Sequence, residues 1–260
     1  MNSLIGKKVS AVSHKVNTTR LDILGVKTIG DTQLIFHDTP GILQKSSKEE
    51  KELTGIAKNT LSKMDLYLTL IDGSIPLTYL SRENEAQILI ALNKCDLMKP
   101  ATLIQERKKL IVEEVPSLLR PSLGIKDDGS SIISLSALKG QGIKEILRTL
   151  QAKARPGRWL FSPGVITNRS QEEQANEIIR EKVFHFLNQE IPYELIVVHR
   201  GWKKLNGGLV LDAELLCQSP SQQRIVSKIR RQLEFAASDD ISKLFGRQIR
   251  VMIQVGIDKS

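Results

Sequence analysis

The stretch AQILIALNKCD, residues 86–96, ends an apolar segment with four residues that decide how the first half of the chain is interpreted. Residues 86–92 predict a buried strand, and Asn93, Lys94, Cys95 and Asp96 follow it directly. The Asp96 carboxylate can accept two N–H groups from a guanine edge, Asn93 can meet N7 or O6, and the Lys94 stem can cover the ring. Adenine would leave that carboxylate facing no donors, which is how a polar site discriminates. The motif therefore predicts a guanine site.

Two segments nearer the N-terminus favour phosphate and metal binding. DTPG, residues 38–41, ends an apolar strand, where Asp38 can hold Mg²⁺ through water and the Gly41 N–H can meet a terminal phosphate. Upstream, TTR places a Thr19 hydroxyl where it can also ligate Mg²⁺. Alone, DTPG is a weak signal that is more typical of a plain strand-to-loop turn.

A fourth segment, SALKG at residues 136–140, follows another predicted strand, and its backbone can contact the base carbonyl. All four segments border strands of one predicted sheet, at the end where such sheets bind ligands. Their order and spacing together indicate a guanine-nucleotide fold. The predicted nucleotide contacts are Asp38, Thr39, Pro40, Gly41, Ile42, Asn93, Lys94, Cys95, Asp96, Ser136 and Ala137.

Strands and helices alternate through the first half. Residues 21–37 predict a hairpin around Gly30-Asp31, and three apolar strands follow. The predicted strands lie at 66–71, 86–92 and 131–135, and predicted helices lie at 48–63 and 142–154. This alternation favours a mainly parallel sheet covered on both faces.

The second half has a different pattern. The stretch RPGRWLFSPGVITNRS predicts a linker at 156–170, between a first domain at 1–155 and a second at 171–260. The sequence of the second domain predicts elements in the order α-β-β-α-α-β, which is typical of an α+β module. Its predicted elements are a helix at 174–189, strands at 195–203 and 209–217, helix at 221–245 and a strand at 248–257.

Composition narrows the possible partners. The formal net charge of +9 favours an anionic partner, nucleic acid before membrane, although a protein can be basic without such a partner. Cys95 and Cys217 offer neither metal-ligand spacing nor a disulfide framework, which favours a reducing compartment. The apolar runs are too short for a transmembrane segment, and the N-terminus does not resemble a signal peptide.

With these motifs in place, the chain resembles the Era GTPases of bacteria and organelles. KKVSAVSHKVNTTRLDILGV and DTQLIFHDTPGI match that family's effector and second phosphate motifs, and IIREKVFHFLNQEIPYE matches the start of its second domain. The resemblance implies a P-loop-type α/β GTPase domain followed by an α+β KH domain of type II order. It also implies GTP and Mg²⁺ as cofactors.

The phosphate loop of that family is missing from the sequence. In Era-like proteins, a segment like MNSLIG follows a strand and a glycine-rich loop ending in Gly-Lys-Ser-Thr, but no Gly-Lys-Ser or Gly-Lys-Thr occurs here. Each charged hydrogen bond lost weakens binding by about 1.5–3 kcal/mol. We therefore expect weak GTP binding and a sheet without a central member. Ile42 stands where other small GTPases carry a glutamine that orients water, so hydrolysis should be slow.

The KH domain of the family clamps single-stranded RNA with a GxxG loop between two helices. No glycine lies between Gly208 and Gly246, so that loop is absent. A basic run remains, which can track a phosphate backbone or form a solvated helix face. Its members are Arg224, Lys228, Arg230 and Arg231.

The resemblance implies a monomer that binds small-subunit ribosomal RNA and acts in small ribosomal subunit assembly. Two alternatives stay open: an RNA-binding or scaffold remnant that has lost nucleotide binding, and a partial gene model of an intact enzyme. The expected location is an organelle, the mitochondrial matrix ahead of the plastid, or the bacterial cytoplasm, and not the secreted pool.

Overall fold

The chain divides into two compact units. The computed structural model describes residues 1–11, 23–38, 64–73, 87–115, 117, 120–121, 124–205 and 208–258. One unit comprises Met1–Val26, Phe36–Gly41 and Val165–Ser260, and the other comprises Lys27–Ile35 and Ile42–Gly164. The first residues of the chain belong to the same unit as the last, and the predicted domain limits at 155 and 170 stay a prediction.

The strands of the first half lie close to their predicted positions. The first two form a hairpin through Gly30, whose φ of 59° suits a residue without a Cβ. The next three form a parallel sheet in the order β3-β4-β5. Their bounds are β1 (Ile23–Ile29), β2 (Thr32–Asp38), β3 (Leu66–Asp72), β4 (Gln87–Asn93) and β5 (Ile133–Ser134).

Two amphipathic helices accompany the parallel strands. Helix α2 (Thr102–Glu114) buries Ile111 and Val112 in a core shared with Ile90 and Leu92 of β4. The later helix, α3, buries apolar residues at a spacing of three and four, which places them on one face. It spans Ile143–Ala152, close to its predicted range, whereas the helix predicted at 48–63 lies outside the described residues.

The single, mainly parallel sheet that alternation predicted is divided. Among the described residues, β1-β2 and β3-β4-β5 are separate sheets.

The second module places helices against a three-stranded sheet. Strands β6 (Ile196–Leu205) and β7 (Gly208–Cys217) are antiparallel, and β8 (Ile249–Ile257) pairs parallel to β7. Helix α4 (Gln171–Phe186) begins with a capping box and is followed by a short α5 (Ile191–Glu194) that the sequence did not predict.

The predicted order α-β-β-α-α-β has two consecutive helices before the last strand, and the structure has a single helix there, α6. It runs over Pro220–Phe245 without a break, capped by the Ser219 side chain and ended by Gly246 at a φ of 63°. Val226, Leu233 and two further residues on the same side are fully buried in the module core. The two others are Ala237 and Ile241.

The N-terminal segment is fastened to this module. Helix α1 (Asn2–Ile5) ends at Gly6, and the Asn2 side-chain oxygen accepts the backbone N–H groups of Val9 and Ser10. The Lys8 ammonium then reaches Glu181 Oε1 at 2.6 Å and Asp240 Oδ2 at 2.7 Å. In the parts of the chain that are described, no helix is long and apolar enough to cross a membrane.

Candidate functional site

The carboxyl ends of the parallel strands bring the predicted guanine residues together. In the sheet register Asp72 lies opposite Asn93, and Leu92 lies opposite Ser134. Because parallel strands end at one edge, the residues that follow β4 and β5 meet there. The backbone of Leu135 bonds to that of Leu92 at 2.8 Å, which continues the sheet to the start of the SALKG loop.

Asn93 ties three chain segments at this edge. Its side-chain Oδ1 accepts the backbone N–H of Ala137 at 3.0 Å. Its carbonyl accepts the N–H of Gly73, just past β3, at 2.9 Å. A Cβ on Gly73 would lie only 3.0 Å from that carbonyl and 2.5 Å from Met98 Sδ, so the approach requires glycine. With Oδ1 occupied, the amide N–H₂ is the group of Asn93 that the guanine hypothesis assigns to N7 or O6.

Lys94 turns the chain sharply after β4. Its φ is 63°, in the left-handed region that few residues other than glycine adopt. Strain of this kind concentrates at functional sites. The Lys94 ammonium forms an ion pair with Asp72 Oδ2 at 2.6 Å, while half of the lysine side chain stays exposed. This ion pair holds the aliphatic part of the Lys94 side chain at the ends of the strands. Asp72 was not among the residues predicted from the sequence motifs.

The turn that follows presents Asp96. Residues Cys95–Leu97 form one turn of 3-10 helix, with Asp96 in that turn. Within the described part of the chain, no protein hydrogen bond or ion pair holds the Asp96 carboxylate. Both of its oxygens are thus available to two ligand N–H groups, as the guanine hypothesis requires.

Cys95 contributes to this site through its backbone. Its N–H donates to the Leu135 carbonyl at 3.0 Å, and its thiol donates to the Leu92 carbonyl at 3.1 Å. The side chain packs on the core beside β4, and burial raises the pKa of the Cys95 thiol. The thiol is neutral at physiological pH, and the ligand contact of Cys95 stays a prediction.

The SALKG loop is closed by Ser136. This residue is fully buried, exchanges two backbone hydrogen bonds with Gln141 at 3.1 Å, and its hydroxyl accepts from the Lys139 N–H at 3.1 Å. The loop is therefore a rigid ring rather than an open turn. The serine acts as the internal support of the loop, and Ala137 carries the backbone N–H that Asn93 binds.

The predicted phosphate and metal residues are only partly described. Asp38 ends β2, whereas Thr19, Thr39, Pro40, Gly41 and Ile42 lie outside the described residues. Among the residues that are described, no group of three His, Cys, Asp or Glu side chains could hold a metal ion. A magnesium site built on Asp38 and a threonine hydroxyl needs oxygen donors alone, and both predicted donors are of that kind.

The basic run lies on α6. Arg224, Lys228, Arg230 and Arg231 are all exposed. Arg230 differs from the others because its guanidinium donates to the Ile253 carbonyl at 3.4 Å and so points toward β8. Sequence reasoning missed Phe235, farther along the same helix, whose side chain is 80% exposed.

Comparison with known proteins agrees with this geometry. Residues 1–106 match the sequence profile of the 50S ribosome-binding GTPase family. The GTPase Era of Rickettsia typhi is 33% identical over 205 residues, which is 79% of this chain and 67% of that protein. The chain belongs to the Era GTPase family. The Era protein of Rickettsia bellii is 29% identical over 273 residues, covering 100% of this chain and 87% of its own length.

The Era fold is also shown by a solved structure. A crystal structure of Era in complex with MgGDPNP and nucleotides 1506–1542 of 16S ribosomal RNA superposes with a TM-score of 0.82 at 26% identity. The match covers 99% of this chain and 87% of that one. The predicted fold class, an Era-type α/β GTPase domain followed by a KH module, is confirmed.

Proposed function

We propose that this Era-family protein binds ribosomal RNA of the small subunit during assembly of that subunit, and that guanine nucleotide occupies the site formed by residues 93–96 together with Ser136 and Ala137. The 3.0 Å hydrogen bond between Asn93 and Ala137 carries the proposal. It closes a site in which a guanine edge would face Asp96, with the Lys94 stem beside the ring.

In this chain, affinity for a guanine nucleotide comes more from contacts with the base than from contacts with the phosphates. Asp38 and Thr19 would hold Mg²⁺, and Gly41 would meet the γ-phosphate of GTP, as the family resemblance implies. Mg²⁺, when bound, would neutralise charge between the phosphates. No Gly-Lys-Ser or Gly-Lys-Thr loop is present to hold the β-phosphate, and Ile42 offers no group to orient water. GTP binding is therefore weak and hydrolysis slow.

The ribosomal RNA partner is supported by two observations. The related Era protein was crystallised with a segment of 16S ribosomal RNA. In this chain the four residues of the basic run precede the first acidic residue of α6, Glu234. A row of cations without carboxylates attracts a phosphate backbone through release of counterions.

Cosedimentation with isolated ribosomal subunits tests the proposal. The purified chain should pellet with small subunits in preference to large subunits at low salt, and a variant with Arg224, Lys228 and Arg231 changed to Ala should not. Millimolar GTP, but not ATP, should shift the bound fraction. Failure to pellet with small subunits would remove the proposed function.

The second candidate is a nucleotide-independent RNA-binding or scaffold protein, favoured by the missing phosphate loop. Under this hypothesis the chain pellets with small subunits, but GTP and ATP leave the bound fraction equally unchanged. The monomeric state and the division at 155 and 170 belong to the same proposal. Limited proteolysis that cleaves within 156–170 and releases two stable fragments would support that division.

A further inference from the structure

We propose that four residues of α6, Arg224, Lys228, Arg231 and Phe235, form a platform for single-stranded RNA in which Phe235 stacks on a base. We call these four residues the α6 stripe. The inference deepens the proposed RNA-binding function and rests on it. It assigns to this helix a base contact of a kind that charge alone does not provide.

The α6 stripe lies along one side of the helix. Its members are separated by four, three and four residues, and a helix turns by about 100° per residue, so they fall within an arc of roughly 60°. The stripe is about 16 Å long at 1.5 Å per residue. The buried residues Val226, Leu233, Ala237 and Ile241 occupy the opposite side. All four stripe residues are exposed.

Phe235 is the residue that charge attraction does not explain. Its ring is 80% exposed on the side away from the core, so it contributes little to folding. A single exposed apolar residue is ordinary on a protein surface. Here, however, the exposed residue is aromatic and lies one turn from Arg231, in line with two further cations.

The carboxylates near the stripe are engaged elsewhere. Glu234 Oε1 accepts the backbone N–H of Ile253 at 2.9 Å, and so faces the sheet. Asp239, one turn beyond Phe235, forms an ion pair with Lys243 at 2.6 Å. The face of the stripe therefore presents positive charge followed by an aromatic ring.

Single-stranded RNA fits this combination better than the alternatives. Cations track phosphates, and an exposed ring offers a face on which any base can stack, with little dependence on sequence. In duplex RNA the bases are already stacked and their faces are not available. An acidic protein surface would satisfy the three cations but offers no flat face for the Phe235 ring to stack on.

The test uses the full chain and labelled oligouridylate, either single-stranded or paired with oligoadenylate. Base stacking on an aromatic side chain is worth about 1–3 kcal/mol, so Phe235→Ala should weaken single-strand binding roughly 5- to 150-fold. Its salt dependence should stay unchanged. Phe235→Tyr should restore affinity because it keeps the ring face, whereas Phe235→Leu should not. Duplex binding should change less than twofold.

Arg231→Ala and Arg230→Ala are a matched pair of charge deletions. Arg231→Ala should reduce the slope of log affinity against log salt by about 0.7, the value for one phosphate contact on a single strand. Arg230→Ala, whose guanidinium points to the Ile253 carbonyl, should leave the slope unchanged. Unaltered helical circular dichroism in every variant would exclude misfolding as the cause.

The contrary outcomes are distinct. If the unsubstituted chain binds no RNA at low salt, both the proposed function and the stripe are overturned. If it binds RNA and Phe235→Ala binds equally well, the stripe alone is overturned. If Phe235→Ala and Phe235→Leu weaken binding to single-stranded and duplex RNA equally, the surface is not a base-stacking platform. The same conclusion follows if these variants lose only self-association of the chain and keep their affinity for RNA.

Discussion

Asn93 Oδ1 lies 3.0 Å from the backbone nitrogen of Ala137, and this hydrogen bond joins the end of β4 to the loop after β5 across 44 residues of sequence. The bond fixes the loop whose backbone would border a bound base. Because a partly buried N–H without an acceptor is unfavourable, Asn93 is as much a structural residue as a ligand contact.

Substitution at Asn93 should separate these two roles. Asn93→Ala removes the acceptor and should lower the free energy of unfolding of this unit by about 1 kcal/mol. Asn93→Asp keeps an acceptor for Ala137 and should lose less stability, but it lacks the amide N–H₂ that faces guanine. The midpoint of urea unfolding and the affinity for GTP measure the two effects. Equal loss of stability in both variants would contradict the role assigned to Oδ1.

Guanine nucleotide should bind weakly and through the base. With Mg²⁺ present, GTP should bind with a Kd no tighter than about 100 μM, because three or four charged hydrogen bonds to phosphate are missing and each decade of affinity is worth about 1.4 kcal/mol. Isothermal titration calorimetry that gave micromolar or tighter binding would refute this expectation.

An engineered extension of the chain gives the complementary measurement. A chain extended upstream by a strand and a phosphate loop should bind GTP in preference to ATP. In that background Asp96→Asn should reduce the preference, because an amide cannot accept both guanine N–H groups. If the extended chain binds ATP and GTP alike, the guanine assignment of residues 93–96 is wrong.

How far the sequence predicts this site depends on the distance of each contact along the chain. Asn93 and Asp96 were predictable because four polar residues directly follow a strand. The ion pair of Lys94 with Asp72 was not, since it depends on which strand lies beside β4. Phe235 was missed for another reason. A helix with mixed apolar and charged residues does not reveal which side is buried until Val226 and Leu233 are placed against the sheet.

The two tryptophans of the chain should report two separate unfolding transitions. Trp159 donates to the Asp31 carbonyl at 2.9 Å beside the β1-β2 hairpin, and Trp202 packs on Phe245 in the KH module. Among the described residues, the first half has fewer large apolar side chains that are fully buried. Trp202→Phe, which leaves only Trp159, should therefore show the lower urea midpoint. Trp159→Phe should show the higher one. Coincident midpoints would indicate one cooperative unit.

The Lys8 contacts make stability depend on acid pH. Burial raises the pKa of Asp240, but hydrogen bonds from Lys182 and Lys8 outweigh it, so that its pKa is lowered. A lowered carboxyl pKa stabilises the fold above the unfolded value of about 3.9, and that contribution is lost as pH falls through the folded value. Asp240→Asn should flatten the decline in the urea midpoint between about pH 5 and pH 3.

Asp239 provides the control for that measurement. It neighbours Asp240 on α6 and pairs with Lys243 at the surface, where an ion pair contributes little. Asp239→Asn should therefore keep the decline of the parent chain. The same decline in the parent chain and in Asp240→Asn would show that the buried contacts of Asp240 do not set the acid stability.

Insertion of Gly-Lys-Gly-Gly between Val226 and Ser227 should create a loop within α6 and, with it, sequence preference toward RNA. Val226 on one side and Leu233, Ala237 and Ile241 on the other are all anchored in one core, so four added residues cannot be absorbed by sliding either part of the helix.

Glycines disfavour helix, and the insert should therefore bulge into solvent between two shorter helices, the arrangement in which a GxxG loop approaches a phosphate backbone. Competition between unrelated single-stranded oligomers should show discrimination by the inserted chain and little by the parent, which binds mainly through charge. An insert of four alanines, which favours helix, is the matched control and should not give discrimination. Strong discrimination by the parent chain would place sequence recognition outside this loop, and the reasoning from the missing clamp would fail.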